Sequence, residues 1–257
     1  MLHKKLSFAA TEAYKLLRTN LNFTLPDEQK CRVVGVTSSI RGEGKSTTAA
    51  NLSYTLAETG KRVLLIDADL RLPSIAKKLG IRSAPGLSNV LAGVEKEDDA
   101  LFRSEEQDNW VILPSGDIPP NPTEMLASSQ MKQLVERLSA SYDFIVIDLP
   151  PVNIVSDALV TSEVLDGMIV VVRENYSGRR ELQNCMRQLK LSGVKLLGFV
   201  MTTAASGPSS YGKYRYYKRY GHRYGHGYGE SYEGAPAETL EEPENVTDES
   251  VDEAWLQ

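Results

Sequence analysis

The chain has 257 residues, 41% hydrophobic and 25% charged, and a formal net charge of −5. That suits one sizeable core with a tail, and no apolar run approaches the length a bilayer span requires, so a membrane-embedded protein is excluded. Charge is zoned: residues 1–204 balance, residues 205–229 hold five bases (Lys213, Arg215, Lys218, Arg219, Arg223) and no acid, and residues 230–257 hold ten acids and no base.

The opening "MLHKKLSFAATEAY" has too short an apolar run for a signal peptide, so a cytoplasmic protein is expected, with any membrane association through a partner. Next, "TEAYKLLRTNLNF" (11–23) reads as a helix with Ala13, Leu16, Leu17 and Leu21 near one face, ended by Pro26. Strands are expected at 33–37, 62–67, 110–114, 143–150, 167–172 and 195–201. Several lack polar alternation, as strands covered on both faces do. Helices are expected at 45–59, 74–79, 125–140, 156–164 and 178–191. The alternation predicts an α/β, three-layer domain with a mostly parallel sheet. Cys31 and Cys185 read as two buried, reduced thiols. The expected organisation is an N-terminal helix and linker (1–30), an α/β domain (31–204) and a disordered C-terminal tail (205–257).

The first chemistry-bearing motif is "SIRGEGKST" (39–47), which ends as a phosphate loop, G-x-x-x-x-G-K-S/T, with Ser39 at the first position. A strand precedes it and a helix follows, so an incidental glycine turn is a poor account, and residues 31–204 are expected to form an ATP-binding domain of the P-loop NTPase type. Backbone N–H groups across Gly42, Glu43, Gly44, Lys45, Ser46 and Thr47 would wrap phosphates. Lys45 adds a point charge, and the Ser46 hydroxyl suits Mg2+. "LLIDADLRLP" (64–73) and "FIVIDLPP" (144–151) put Asp67, Asp69 and Asp148 at strand ends, where ligands bind in open α/β sheets. With spacing i, i+2, Asp67 and Asp69 would both point toward the phosphate loop if the strand continued, one serving metal-bound water and the other accepting a proton. Solvated acids at a strand end are the alternative.

Taken with "EAYKLLR" near the N-terminus and the tyrosine cluster "YGKYRYYKRYGHRYGHGYGESY" (211–232), these motifs resemble, in order, the bacterial tyrosine kinases, in the stand-alone form separate from its membrane activator. The resemblance implies a Mg-ATP-dependent protein-tyrosine kinase of capsule or exopolysaccharide systems. It implies catalytic roles for Lys45, Asp67, Asp69 and Asp148, with Mg2+ held by Ser46, Asp69 and Asp148. Asp67 would accept the phenol's proton. Glu12, Lys15 and Arg18 stand where the family has E-x-x-R-x-x-R, which joins subunits into a ring, with eight suggested by the family. Lysine at 15 lacks arginine's planar fork. Further implied partners are an activator of the polysaccharide chain-length-regulator type, which recruits the chain to the inner face of the plasma membrane, and a cognate phosphotyrosine phosphatase. Partition-type ATPases share the three site motifs and are the rival reading, but Ile40 stands where they carry a signature lysine. The family's asparagine near adenine is replaced by Thr202 or Thr203, and its usual proline by Arg41. A nucleotide-binding scaffold without turnover is a third class, disfavoured by the intact acids and Lys45.

The cluster has a chemical reason in this reading. A phenol with a pKa near ~10 is a poor nucleophile at neutral pH and needs placement, charge neutralisation and a base. Tyr211, Tyr214, Tyr216, Tyr217, Tyr220, Tyr224, Tyr228 and Tyr232 are the expected acceptors, phosphorylated in trans. Stacking on single-stranded RNA or self-association is the competing use of such a strip, and His222 with His226 is weak evidence for a metal. No nucleic-acid partner is expected. The acidic end (233–257) reads as a solubilising tail.

Overall fold

A computed structural model describes residues 6–25 and 31–203; Pro26, the tyrosine cluster and the acidic end lie outside the described residues. In chain order the elements are α1 (Phe8–Thr24), β1 (Arg32–Ser38), α2 (Lys45–Ala57), β2 (Val63–Asp67), α3 (Ile75–Leu79), α4 (Leu87–Leu91), α5 (Glu97–Ala100), β3 (Phe102–Arg103), β4 (Trp110–Leu113), α6 (Pro122–Leu126), α7 (Ser129–Ser139), β5 (Phe144–Asp148), α8 (Asp157–Val160), β6 (Gly167–Arg173), α9 (Arg179–Ser192) and β7 (Leu196–Thr202). A 3-10 turn, Thr161–Val164, follows α8.

One seven-stranded sheet runs in the order β3-β4-β2-β5-β1-β6-β7. Neighbouring strands are parallel except β3, which is antiparallel to β4. The chain passes from β1 over β5 to β2 and later returns, so β5 lies between them. The carboxyl ends of β1, β5 and β2 are therefore adjacent at the switch point where such sheets bind ligands.

Cores lie on both faces of the sheet. Val33, Leu64, Ile66 and Ile145 face one cluster with Met131, Leu134 and Cys185. Val34, Val36, Leu65 and Val146 face the other with Leu52, Leu56 and Trp110. This is why these strands read as unbroken apolar runs. Small residues let α2 lie deep: Ala49, Ala50, Ser53 and Ala57 are all buried, and Trp110 Nε1 donates to Ser53 Oγ at 3.0 Å.

Three local expectations are revised. The helix expected over 125–140 is two helices, because Ser128 caps a fresh N-terminus by accepting from the Met131 N–H at 3.2 Å. On α1, Leu21 is buried but Leu16 is 56% exposed. Leu17 and Leu21, four apart, share the packed face, whereas Leu16 falls beside exposed Phe8 and Phe23. Cys31 is half-buried rather than buried; both thiols are free.

Candidate active site

The phosphate loop spans the gap between β1 and α2. Gly42 (φ 83°) and Gly44 (φ 98°) hold left-handed backbone that a side chain would strain. A Cβ on Gly42 would also lie 2.9 Å from the Tyr176 hydroxyl. Lys45 opens α2 and lies along the sheet's carboxyl edge. Its Nζ is 2.8 Å from Asp69 Oδ2, 3.6 Å from Asp148 Oδ1 and 3.3 Å from Ser46 Oγ. Burial works against the ammonium, but Asp148 and Asp69 more than offset it, and its pKa is raised. Lys45 is therefore a fixed cation.

The acids follow from strand register. Asp67 ends β2 directly opposite Asp148, the end of β5. Both are fully buried. β2 stops at Asp67, and its carboxylate is held by backbone N–H groups at the start of α3 while it remains within the field of Lys45. Its Oδ2 accepts from the N–H groups of Ser74 (3.2 Å) and Ile75 (3.0 Å), and its Oδ1 from that of Asp69 (3.3 Å). Burial and the neighbouring Asp148 push its pKa up to about 7, against these N–H bonds and Lys45. Burial likewise raises Asp148, opposed by Lys45.

Among the described residues neither oxygen of Asp148 accepts a hydrogen bond, and the Lys45 ammonium at 3.6 Å is the charge that faces it. A buried carboxylate left this way is costly unless something positive meets it. With Ser46 in the first turn of α2, the donor set fits Mg2+, a hard cation that takes oxygen ligands. Gly42, Glu43, Gly44 and Thr47 lie on the same turn, and a cleft of about 400 Å³ opens over Gly42, Gly44, Lys45, Thr47 and Asp69.

Glu43 carries a role that its backbone position alone did not suggest. Its carboxylate, buried within an anion-binding loop, turns inward and collects donors: Ser39 Oγ at 3.0 Å, the Ile40 N–H at 2.7 Å and Ser177 Oγ. Ser39, standing where a glycine is usual, is thereby used as a donor. Thr202 Oγ1 donates to the Glu43 carbonyl at 2.7 Å, and Arg173 Nη1 to the Gly42 carbonyl at 3.3 Å, with its guanidinium 4.8 Å from the Tyr176 ring centre. The β6–α9 turn, expected as plain scaffold, thus braces the loop from 130 residues away in sequence. Only an acid beside two glycines of a phosphate loop hinted that donors must converge there.

Arg71 turns away from the phosphate loop. Its Nε and Nη2 grip buried Asp157 at 2.8 and 3.2 Å, and Thr123 Oγ1 donates to the same carboxylate at 2.6 Å. Among the predicted oligomerisation residues, Lys15 pairs with Glu12 at 2.8 Å and Arg18 Nη1 donates to the Thr55 carbonyl, at the far end of α2, at 2.6 Å.

A strand, a glycine turn with lysine and serine, and two strand-end acids on a parallel sheet define a phosphate-loop nucleotide-binding domain. Residues 31–195 match the AAA domain family. The chain is 38% identical over 207 residues to tyrosine-protein kinase YwqD of Bacillus subtilis (strain 168), covering 80% of this chain and 86% of that protein. The kinase domain of Escherichia coli tyrosine kinase ETK superposes with a TM-score of 0.71 at 29% identity, covering 77% of this chain and 78% of that one. The septum site-determining protein MinD of Pyrococcus horikoshii, solved with Mg-ADP, gives 0.58 at 28% identity, over 70% and 75% of the two chains. The chain belongs to the bacterial tyrosine kinases.

Two outcomes are expected from this geometry. Glu43→Ala strands donors inside the loop and should weaken nucleotide binding about tenfold or more. Glu43→Gln, against which the Ser39 and Ser177 hydroxyls can turn, should recover most of it; equal losses in the two variants, read by calorimetric titration, would contradict the brace. The second concerns pH. Asp67 has its pKa raised on folding, so the folded chain holds the extra proton between about pH 4 and 7. Stability of the metal- and nucleotide-free protein should therefore fall as pH rises through that window. Asp148→Asn should remove part of the slope and raise Tm at pH 8 by at least about 2 °C. A melting temperature flat from pH 5 to 8 in the wild type would refute this account.

Proposed function

We propose that the chain is a Mg-ATP-dependent protein-tyrosine kinase that phosphorylates its own C-terminal tyrosine cluster in trans. The observation that carries the reading is the convergence of Lys45, Asp69 and Asp148 at the mouth of the phosphate loop, Lys45 Nζ lying 2.8 and 3.6 Å from the two carboxylates. Lys45 and the N–H groups from Gly42 to Thr47 hold the ATP phosphates in line with the incoming phenol. Ser46, Asp148 and Asp69 hold Mg2+, which when bound neutralises charge on the phosphates. The phenol oxygen bonds to the terminal phosphorus, the bridging oxygen leaves with ADP, and the phenolic proton passes to Asp67. A carboxylate poised near pH 7 suits that transfer.

The acceptors in this reading are Tyr211, Tyr214, Tyr216, Tyr217, Tyr220, Tyr224, Tyr228 and Tyr232. The wider role is control of capsule or exopolysaccharide synthesis and export. The chain assembles with copies of itself through the α1 segment bearing Glu12, Lys15 and Arg18, an octameric ring being the family's arrangement. It works with a membrane activator of the chain-length-regulator type and is reset by a phosphotyrosine phosphatase. Such an activator would recruit the chain to the inner face of the membrane; among the described residues no helix is long and apolar enough to cross one.

A positioning ATPase is the second reading, favoured by the likeness to MinD. Ile40, in place of that group's signature lysine, argues against it. The test is mass spectrometry after incubation with Mg-ATP. Phosphate on the 211–232 strip of the wild type, none on Lys45→Met, and loss of all tail labelling on deletion of 205–257 are expected. ATP turnover with no phosphotyrosine would favour the positioning ATPase.

A further inference from the structure

The cleft over the phosphate loop does not end at the nucleotide. Beyond Asp69 its wall continues along the β2–α3 segment through Leu72, Ser74 and Lys78, with Arg41 on the opposite lip. Leu72 is 54% exposed among the described residues, an apolar side chain beside a carboxylate site. Arg41 and Lys78 make no ion pair or side-chain hydrogen bond among the described residues. Three nearby cations are committed among the described residues: Lys45 to Asp69, Arg71 to Asp157 and Arg173 to the Gly42 carbonyl. Two uncommitted cations flanking an exposed apolar side chain suit an aromatic residue with acids next to it.

Such a residue occurs in this chain. Seven of the eight clustered tyrosines sit in the stretch 205–229, which has no acid, whereas Tyr232 lies in "GESYEG", with Glu230 two residues before it and Glu233 directly after. We infer that Leu72, Lys78 and Arg41 form an acceptor subsite selective for a tyrosine flanked by acids, so that Tyr232 of an adjoining copy is the favoured acceptor. Its ring would lie on Leu72, and Glu230 and Glu233 would face Lys78 and Arg41. The basic flanks of Tyr214, Tyr216 and Tyr217 would meet like charge at the same lips. This inference rests on the kinase reading above and adds the order in which acceptors are used.

The test is a time course of the full chain with Mg-ATP, with phosphate mapped by mass spectrometry. Tyr232 should gain phosphate about threefold faster than Tyr214, Tyr216 or Tyr217, the scale of one or two exposed charge pairs. That lead should shrink as salt rises. Lys78→Glu should abolish it, and adding Glu230→Lys and Glu233→Lys to Lys78→Glu should restore it. Tyr232 lagging in the wild type, or leading equally in Lys78→Glu, overturns the subsite and leaves the kinase reading standing. So does a Lys78→Glu variant that slows every tyrosine alike while losing ATP affinity, since Lys78 would then serve the nucleotide. Absence of phosphate from every tyrosine overturns the kinase reading, and the subsite with it.

Discussion

Asp67 and Asp148 stand side by side because β2 and β5 are paired in a register that ends both strands on an acid. Everything at the site answers to that constraint. Two buried carboxylates repel, and each is penalised by loss of water. The fold accommodates them in different ways. Asp67 is met by N–H groups at the start of α3, while Asp148 faces the Lys45 ammonium at 3.6 Å and accepts no hydrogen bond among the described residues. Lys45 is brought to the pair by the first turn of α2, and α2 keeps its place because it is buried against the sheet. The unfavourable electrostatics are thus held by apolar packing on both faces. A site that costs stability in the empty protein is poised to gain from a bound cation.

The same logic extends to the phosphate loop. A loop that must bind phosphate carries its own buried acid, which would be self-defeating were the charge aimed at the ligand. Glu43 is aimed inward, where hydroxyls and an N–H absorb it. The charge then works as a knot. It fastens the loop to the β6–α9 turn, and Thr202 fastens the same residue to the last strand of the sheet. Preorganised N–H donors are effective because they need not reorganise when charge arrives.

Much of this was legible in the sequence, for definite reasons. The apolar runs of β1, β2, β5 and β6 are buried on two faces, so their composition alone marks them. Lys45, Ser46, Asp69 and Asp148 were legible because a phosphate loop and strand-end acids are local patterns whose meeting follows from parallel topology. The direction of Asp67 was not, since it depends on where β2 stops and α3 begins. The bracing by Arg173, Tyr176, Ser177 and Thr202 was not legible either. Those contacts cross more than 130 residues, and no spacing rule connects a serine in a turn to an acid in a distant loop. The region from 80 to 109 hid α4, α5 and β3 because its elements are two to five residues long, too short for periodicity to show.

Kinase and positioning ATPase share the scaffold, so the scaffold cannot divide them. The difference must lie in what reaches the phosphate from outside the loop. In a positioning ATPase the nucleophile is water, and a lysine early in the loop adds charge at the phosphates. Here that position is Ile40, whose backbone N–H is spent on Glu43. A site without that lysine has less built-in charge at the phosphates, and Arg41, Leu72 and Lys78 line the same cleft as the phosphate loop. An apolar side chain and two cations beside the phosphate loop are features that hydrolysis does not call on, so the surroundings of the loop, more than the loop itself, are where the two chemistries can differ.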